Sequence, residues 1–349
     1  MIELLATAAL LSPAAPRPQA QPGQRIERQL VAMGTYLALE VEAPTRAAAL
    51  EASELALRAI EAVEDRLSTW REGTELAALN RAPLGTPFRA SPELRADLER
   101  AFGAWRATGG AFDPAVGRLV AAWDLRGTGR IPGDEELARA LADTGLAGLE
   151  LRPDAPGVPG VIVRRRDVWL DAGGFGKGVA LDAALARLDA LNVTSAALDF
   201  GGQVALFGAA GARSFELAHP RDRGRGILEL TLSEGSLATS SNSERGLEVD
   251  GRRIGHVLDA RTGQPAPDFG SVTVVAREAT DADAFSTGLF VLGPNAALAW
   301  AEEHPGVDVV VLDARESPLI ARASSGLAGR VRVLDRAVRL HVSKGKEDR

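Results

Sequence analysis

Hydrophobic residues recur at helical spacing in two long stretches near the start of the chain. Over 45–67 and again over 91–108, apolar positions repeat every three to four residues with charged residues between them. Thr45 and Ser91 stand where helix N-caps are expected, and Pro92 suits the first helical turn. The pattern therefore predicts two long helices in the first third of the chain.

The rest of the chain mixes shorter helical patterns with strand-like alternation. Further helices are predicted at 112–124, 134–144, 179–191, 281–292 and 295–304. Strands are predicted on both sides of 33–35, in a hairpin over 161–171, in a pair over 195–208, at 214–220, 226–234, 235–240, 270–276 and 306–314, and in a terminal hairpin over 330–342. Long helices beside mainly local β hairpins favour an α+β fold over a regular βαβ array.

Composition narrows the function classes. With 349 residues, 46% of them hydrophobic and 25% charged, the chain is typical of a soluble globular protein of one large domain or two ordinary ones. The net charge of −7 argues against a nucleic-acid partner, because binding to a phosphate backbone needs a concentrated basic face. The absence of cysteine excludes disulfides, thiolate metal sites and a cysteine nucleophile.

The first 25 residues have the composition of a tail or of a remnant signal segment. An apolar run from Ile2 to Leu11 is followed by a spacer rich in proline and small residues, but Glu3 and the missing basic start are unfavourable for a signal peptide. We expect either an exported, periplasmic protein or a frayed tail on a cytoplasmic one. A domain over 26–343 and a solvated tail over 344–349 would complete the chain.

The segment Asp171–Asp182 reads DAGGFGKGVALD and connects a predicted strand to a predicted helix. It contains Lys177, the only lysine before residue 344. Backbone N–H groups and the helix dipole favour an anion at such a turn. However, Gly178 stands where a Walker A motif needs Ser or Thr, and Val179 where a dinucleotide fingerprint needs glycine. The segment predicts either a phosphate-binding loop or a tight turn with an exposed lysine.

Two other places have residues suited to catalysis. Asp283 and Thr287 lie four residues apart on one predicted helix face, and their oxygens suit Mg²⁺ but equally suit a helix cap and a neutral helix position. His256 is predicted within a β segment before a polar turn, where a histidine is either a general base or a structural hydrogen-bonding residue. Asp199 precedes a glycine pair that indicates a ligand contact or a tight hairpin.

Taken in order, these stretches resemble the ApbE family, the FAD:protein FMN transferases. The corresponding blocks run from about Met33 to Gly293 and read MGTYLALEV, LSTWREGTELAALN, GAFDPAVGRLVAAW, DAGGFGKGVALD, LDFGGQ, ATSSNSER, IGHVLDARTGQP and DADAFSTGLFVLG. Their joint order is far more specific than any one block. The resemblance implies an α+β, T-fold-like architecture of mainly antiparallel sheets with flanking helices, in a single domain whose active site could lie between two lobes.

The resemblance also implies a reaction and its partners. A family member of this kind uses Mg²⁺, binds FAD as substrate, and transfers FMN to a threonine of an acceptor protein, a redox or electron-transport flavoprotein, with release of AMP. Membrane association would be indirect at most. A magnesium-dependent FAD pyrophosphatase that releases FMN and AMP, and a non-catalytic flavin-binding protein, are the alternatives.

Individual residues take their expected roles from the same resemblance. Asp283 and Thr287 would bind the metal through side chains, and Gly176 through its carbonyl oxygen. The catalytic candidates would be His256, Asp171 and Lys177, with Lys177 facing the phosphates or an acidic partner such as Asp171. The residues in or near the flavin nucleotide site would be Met33, Asn80, Asp113, Trp123, Gly173, Gly174, Lys177, Asp199, Ser240 and His256.

Three departures from the family pattern stand out. Gly176 replaces the usual alanine, Ser241 a common glycine, and Ser243 a common aromatic residue. Since only a carbonyl oxygen of residue 176 would be used, we expect the first change to preserve the ligand but loosen its geometry. The two serine positions affect the expected shape of the flavin or acceptor pocket.

Overall fold

The computed structural model describes residues 23–153, 160–208, 211–242, 247–249 and 251–345. The segment 1–22, on which the prediction of a signal or tail depends, lies outside this range. Residues 24–25, predicted as part of the tail, instead begin the first strand. No described helix combines the length and the apolar character needed to cross a membrane.

The described residues form eight α-helices and nineteen strands, many of them short. The helices are α1 Arg46–Leu67, α2 Glu75–Arg81, α3 Pro92–Ala107, α4 Gly117–Ala122, α5 Asp134–Ala142, α6 Gly176–Asp189, α7 Ala279–Leu292 and α8 Pro294–Glu303. The strands are β1 Gln24–Ala32, β2 Thr35–Ala43, β3 Pro87–Phe88, β4 Leu149–Arg152, β5 Val161–Arg164, β6 Ser195–Phe200, β7 Gln203–Gly208, β8 Arg213–His219, β9 Asp222–Leu232, β10 Gly235–Ser241, β11 Leu247–Val249, β12 Arg252–Ile254, β13 Leu258–Asp259, β14 Gln264–Pro265, β15 Gly270–Ala276, β16 Val307–Asp313, β17 Leu319–Ala323, β18 Val331–Val333 and β19 Val338–Val342.

A nine-stranded sheet runs through the molecule in the order β1-β2-β6-β7-β10-β15-β16-β17-β19. Its neighbours are antiparallel except for the parallel pair of β17 and β19. Smaller sheets are β3-β5-β4, β18-β9-β8, β11-β12 and β13-β14. Helices and mainly antiparallel sheets are thus combined as expected, and the prediction of an α+β fold is confirmed.

The central sheet is covered on both faces, which explains its most apolar strands. On one face Val272 and Val274 of β15 pack in a cluster with α7 and α8. On the other face Val310 and Leu312 of β16 pack against the sheet of β8, β9 and β18. A strand buried on both sides reads as a continuous apolar run. The VVVLD run of β16 therefore marks the middle of a three-layered core.

Two predicted hairpins do not form. Over 161–171 only β5 is a strand, and it pairs with β3 and β4. Over 330–342, β18 pairs with β9, whereas β19 pairs in parallel with β17. The alternation identified both strands over 330–342 but only the first strand over 161–171, and in both places the partner strand comes from elsewhere in the chain.

Helix boundaries differ from the predictions mainly where glycine or proline is involved. The helices α1 and α3 begin after the expected caps, Thr45 and Ser91, whose hydroxyl oxygens accept from backbone N–H groups three residues on. The helix expected from 112 begins only at Gly117, and α6 begins at Gly176 instead of 179. The glycine-rich segment is therefore partly helical, with Lys177 in the first turn of α6.

Candidate active site

The N-terminal turns of α6 and α7 meet at a buried carboxylate. Asp283, on the second turn of α7, is 4% exposed. Its Oδ2 accepts a hydrogen bond from Gly178 N–H (3.0 Å), and its Oδ1 lies 3.2 Å from Lys177 Nζ. A buried carboxylate is tolerated only when its charge is compensated and its oxygens are hydrogen-bonded. The ammonium and the helix N-terminus supply both, in residues more than a hundred positions away.

Glycine is needed at 178 because the two helices approach closely there. A Cβ on Gly178 would lie 2.4 Å from the carbonyl oxygen of Ala279 and 2.5 Å from Cα of Thr280. Those distances are shorter than any real Cβ contact, so a side chain would force the helices apart. The GKG sequence is thus a packing requirement as well as a source of backbone N–H groups.

A group of hydroxyls lies one turn beyond Asp283. Ser240 Oγ, at the end of β10, lies 2.9 Å from Ser286 Oγ and 3.5 Å from Thr287 Oγ1. A Cβ on Gly174 would lie 3.3 Å from Thr287 Oγ1, which shows that the glycine loop passes directly beside this hydroxyl. The fold therefore brings Gly174, Ser240 and Thr287 together, one helical turn along α7 from Asp283.

This donor set fits a hard divalent cation. Asp283 offers carboxylate oxygens, Thr287 a hydroxyl oxygen, and the adjoining loop of Gly174 to Gly176 backbone oxygens, all of the type that Mg²⁺ prefers. Within the described ranges no group of three or more His, Cys, Asp or Glu could hold a metal. One carboxylate with neutral oxygens is the arrangement expected when substrate phosphates and water complete the coordination.

Lys177 faces an acidic partner, which was one of the two expectations, but the partner is Asp283 and not Asp171. Lys177 pairs with Asp283, whereas Asp171 Oδ2 accepts a hydrogen bond from the guanidinium of Arg126. Asp171 Oδ1 also accepts from Gly173 N–H at 2.7 Å. Arg126 in turn donates to Thr69 and lies over the exposed ring of Trp70, 4.5 Å from its centroid. Sequence reasoning missed Arg126 because nothing in its local pattern shows that it reaches the glycine loop.

Met33 lies beside the start of α6. Met33 and Gly34 form the two-residue turn between β1 and β2, with φ values of 46° and 75° that suit a type I′ turn. A Cβ on Gly176 would lie 3.4 Å from Met33 Cε and 3.3 Å from Ala172 Cβ. The glycine at 176 thus belongs to a tight contact with Met33, and an alanine there would require the methionine to shift.

Asn80 and Asp113 fix backbone segments that adjoin the start of the glycine loop, since Leu170 precedes the loop and the Pro114 carbonyl accepts from Asp171 N–H. Asn80 is buried and clamps Leu170, accepting from its N–H at 2.8 Å and donating to its carbonyl at 2.9 Å. Asp113 accepts from the N–H groups of Ala115 and Leu146. Burial raises the pKa of Asp113 from 3.8 to about 6, although these backbone hydrogen bonds oppose the rise. Asn80 thus uses its polar atoms on the backbone of Leu170, whereas Asp113 accepts from backbone N–H groups and from the Trp105 side chain.

His256 occupies a bend between β12 and β13, so its predicted place within a β segment is wrong. Asn242, which sequence reasoning did not single out, holds this bend. Its buried side chain accepts from Val257 N–H (3.4 Å) and donates to the carbonyl of Ala266 (3.2 Å). Because Asn242 follows Ser240 by two residues, it places His256 beside the strand that ends at the hydroxyl group.

Trp123 anchors the same region from the other side. Its ring is buried with Ile254 and Leu258, and its Nε1–H donates to the carbonyl of Gly263 at 2.8 Å. The indole N–H is therefore committed to the turn that follows His256. Trp123 therefore acts on the candidate site indirectly, because it holds the turn at Gly263 that follows His256.

The remaining predicted residues are placed as follows. Asp199 is exposed near the end of β6, and its Oδ1 accepts from Gly202 N–H in the turn to β7 at 2.9 Å. That turn neighbours the Met33 turn, since Gly201 N–H donates to the carbonyl of Tyr36. Ser241 is buried at the end of β10, and Ser243 lies outside the described residues.

Comparison with known proteins identifies relatives of this chain. The model of the ApbE family matches residues 33–311. A FAD:protein FMN transferase from Treponema pallidum (strain Nichols) is 34% identical over 328 residues, which cover 88% of this chain and 89% of the relative. One from Klebsiella pneumoniae (strain 342) is 30% identical over 283 residues, covering 76% and 78% of the two chains.

Solved structures share the fold. The ApbE protein of Thermotoga maritima superposes with a TM-score of 0.73 at 29% identity, over 82% of this chain and 94% of the other. The flavin transferase ApbE of Vibrio cholerae gives a TM-score of 0.76 at 24% identity, over 88% and 100% of the chains. The matched family segment includes Met33, Lys177, His256, Asp283 and Thr287.

Proposed function

The chain belongs to the ApbE family, and on this premise we propose that it transfers the FMN portion of FAD to a threonine hydroxyl of an acceptor protein, in a magnesium-dependent reaction that releases AMP. Its relatives are named FAD:protein FMN transferases, which supports the flavin substrate and the transferase class. The metal, the threonine and the leaving group are the finer parts of the proposal.

One observation carries the proposal: the buried Asp283 carboxylate and the Thr287 hydroxyl lie beside the glycine loop, with Lys177 at the carboxylate. Cleavage of a pyrophosphate requires positive charge near the bridging and leaving oxygens. The N–H groups at the start of α6 and the ammonium of Lys177 both offer such charge to a phosphate. Lys177 keeps 29% of its side chain exposed, so its ammonium can reach a ligand.

In the proposed reaction the threonine oxygen attacks the phosphorus atom that bears the riboflavin. The new P–O bond forms as the P–O bond to the bridging oxygen breaks, and AMP leaves with that oxygen. His256 accepts the proton of the threonine hydroxyl, and Lys177 offsets charge on the phosphates. A bound Mg²⁺, held by Asp283, Thr287 and the Gly176 carbonyl, would polarise the phosphoryl oxygens.

The test uses purified protein incubated with FAD and Mg²⁺, with and without an acceptor domain that has an exposed threonine. We expect AMP release to depend on the acceptor, and the acceptor to gain the mass of one FMN phosphoester. The same acceptor with threonine changed to valine should gain nothing. Equal release of FMN and AMP without any acceptor would overturn the proposal in favour of FAD hydrolysis, and activity undiminished by a chelator would overturn the metal.

A further inference from the structure

Each of the helices α6 and α7 has a carboxylate that accepts hydrogen bonds from the N-terminal turn of the other helix. Neither helix has a side-chain cap of its own. Asp283 of α7 accepts from Gly178 N–H of α6 at 3.0 Å. In return, Asp182 of α6 accepts from the N–H groups of Ala279 (2.7 Å) and Thr280 (3.0 Å) at the start of α7. Each helix therefore satisfies free N–H groups of the other, which the first turn of an isolated helix leaves unpaired.

Asp182 is more firmly fixed than an ordinary cap. Its Oδ2 also accepts from Thr280 Oγ1 (2.6 Å) and lies 2.9 Å from NH1 of Arg100 on α3. The same guanidinium reaches Asp281 Oδ1 at 3.8 Å. Only 13% of the Asp182 side chain is exposed. Asp182 thus ties three helices together within the first turn of α7.

We propose that Asp182 is a positioning residue for the metal-binding face of α7. It binds no substrate or metal itself; it locks the first turn of α7 against α6, so that Asp283 and Thr287 stay aligned with Lys177 and the glycine loop. The inference rests on the proposed metal site. No signal in the local sequence separates Asp182 from an ordinary polar helix residue.

The close helix contact makes this alignment sensitive. At Gly178 the backbone of α6 lies directly against the Ala279 carbonyl of α7, so no side chain of residue 178 is present to adapt to a shift. Mg²⁺ requires near-ideal octahedral geometry, so a small displacement of α7 weakens its binding. Residues that orient metal ligands without touching the metal affect its affinity for this reason.

The first measurement needs no metal. Hydrogen exchange is followed in metal-free wild-type protein and in Asp182→Asn. We expect faster exchange at Ala279 and Thr280 and also at Gly178, which Asp182 does not touch and whose protection depends on Asp283. Faster exchange confined to Ala279 and Thr280 would overturn the coupling. Thr280→Val, which removes only the hydroxyl contact, is the milder variant and should shift Gly178 in the same direction.

The second measurement titrates Mn²⁺ into the same proteins by calorimetry. We expect Asp182→Asn to bind Mn²⁺ about tenfold more weakly, as is usual when a residue orienting a ligand is changed. The rate of FAD turnover at saturating metal should stay close to that of wild type. Unchanged Mn²⁺ affinity would overturn the inference. If the wild-type protein bound no divalent metal, the proposed function would be overturned. The rate of hydrogen exchange at Gly178 would then still show whether Asp182 couples α6 to α7.

Two control variants separate positioning from stability. Asp189→Asn makes the same change at the exposed end of α6, and should alter neither quantity. Asp313→Asn weakens the pair of the buried Asp313 carboxylate with Arg315 (2.7 Å) at the end of β16, and should lower the melting temperature without changing Mn²⁺ affinity. A loss of affinity in Asp313→Asn equal to that in Asp182→Asn would assign the effect to general destabilisation.

Discussion

The two halves of the candidate active site are held in different ways. At the half that we propose binds the metal, called the metal half below, Asp283 and Lys177 lie on helices whose N-terminal turns are packed backbone to backbone. At the His256 half, the chain runs through strands of two or three residues and a bend, anchored by Asn242 and Trp123. The first half is built from regular elements and buried charge, and the second from a few long-range hydrogen bonds.

This difference suggests a division of labour. A metal site needs fixed ligand geometry, which rigid helices supply. A base that accepts a proton from an incoming protein must approach a hydroxyl that arrives from outside, and functional residues are often placed on short connecting segments for that reason. Changes in the metal half should therefore abolish turnover, whereas changes around His256 should alter the transfer rate more gradually.

The strongest test is Asp283→Ala. We expect magnesium-dependent FAD turnover to fall about a thousandfold, the loss of several kcal/mol of transition-state stabilisation. Circular dichroism should show an intact fold. Asp283→Asn, which keeps an acceptor for Gly178 N–H, is the matched control for packing and should be equally inactive. Turnover close to that of wild type in both variants would contradict the metal assignment.

The corresponding test of the other half is His256→Ala. We expect the rate of FMN transfer to fall about 100-fold, the usual contribution of a general base, with FAD affinity changed much less. His219→Ala changes another histidine, at the end of β8, and should leave transfer unaffected. If FAD affinity and transfer rate fell by the same factor, His256 would be a binding residue.

The variant Lys177→Arg tests whether the metal half needs the compact ammonium of lysine. The planar guanidinium keeps the charge but cannot occupy the position of the ammonium beside Asp283, so we expect turnover to fall about tenfold. Lys344→Arg, at an exposed position near the chain end, is the control and should be neutral. Full activity of Lys177→Arg would show that charge alone suffices at 177.

Trp123→Phe weakens the anchor of the His256 half. Losing the hydrogen bond to Gly263 should lower the free energy of unfolding by about 1 kcal/mol and slow transfer modestly. Trp300→Phe is a close match, since its Nε1–H donates to the carbonyl of Ala107 at 2.7 Å in another part of the fold. It should cost similar stability and leave the transfer rate unchanged, and a slower rate in both variants would remove the special role of Trp123.

The smallest expected effect on turnover concerns Asp113, whose test measures stability instead of activity. Its pKa is raised by burial from 3.8 to about 6 in the folded protein. The folded state therefore binds the proton more tightly than the unfolded state, and the contribution to stability is largest below pH 4 and is lost as the pH rises through 6. The shift corresponds to about 3 kcal/mol.

Asp113→Asn removes this titration. The difference in free energy of unfolding between wild type and variant, measured by urea denaturation at several pH values, should change between about pH 4 and pH 6 and be constant above that range. A difference that is the same at every pH would show that Asp113 has an ordinary pKa.

Local sequence patterns predicted the long helices and failed on strand partners. The caps Thr45 and Ser91 determined α1 and α3, because a cap and the apolar spacing after it act within a few residues. The residues of β18 and β19 also formed strands, but alternation contains no information about which strand lies alongside. Their pairing with β9 and β17 depends on burial against distant parts of the chain.

In the candidate site, too, local sequence patterns did not determine long-range partners. The pairing of Lys177 with Asp283 joins residues 106 positions apart, so local reading favoured the nearby Asp171 as partner. The start of α6 was expected three residues late because glycines disfavour helix, a preference that the carboxylate of Asp283 overrides by accepting from Gly178 N–H. Arg126 and Asn242 act only through contacts that the folded chain creates.

The separation of 106 residues between Lys177 and Asp283 has a consequence for synthesis of the protein. While the chain is made from its N-terminus, α6 and the glycine loop leave the ribosome long before α7 does. The unfinished chain has the ammonium and the loop but lacks the carboxylate, and closing so long a loop comes late in folding. The residues of the proposed metal site therefore come together only after most of the central sheet has been synthesised.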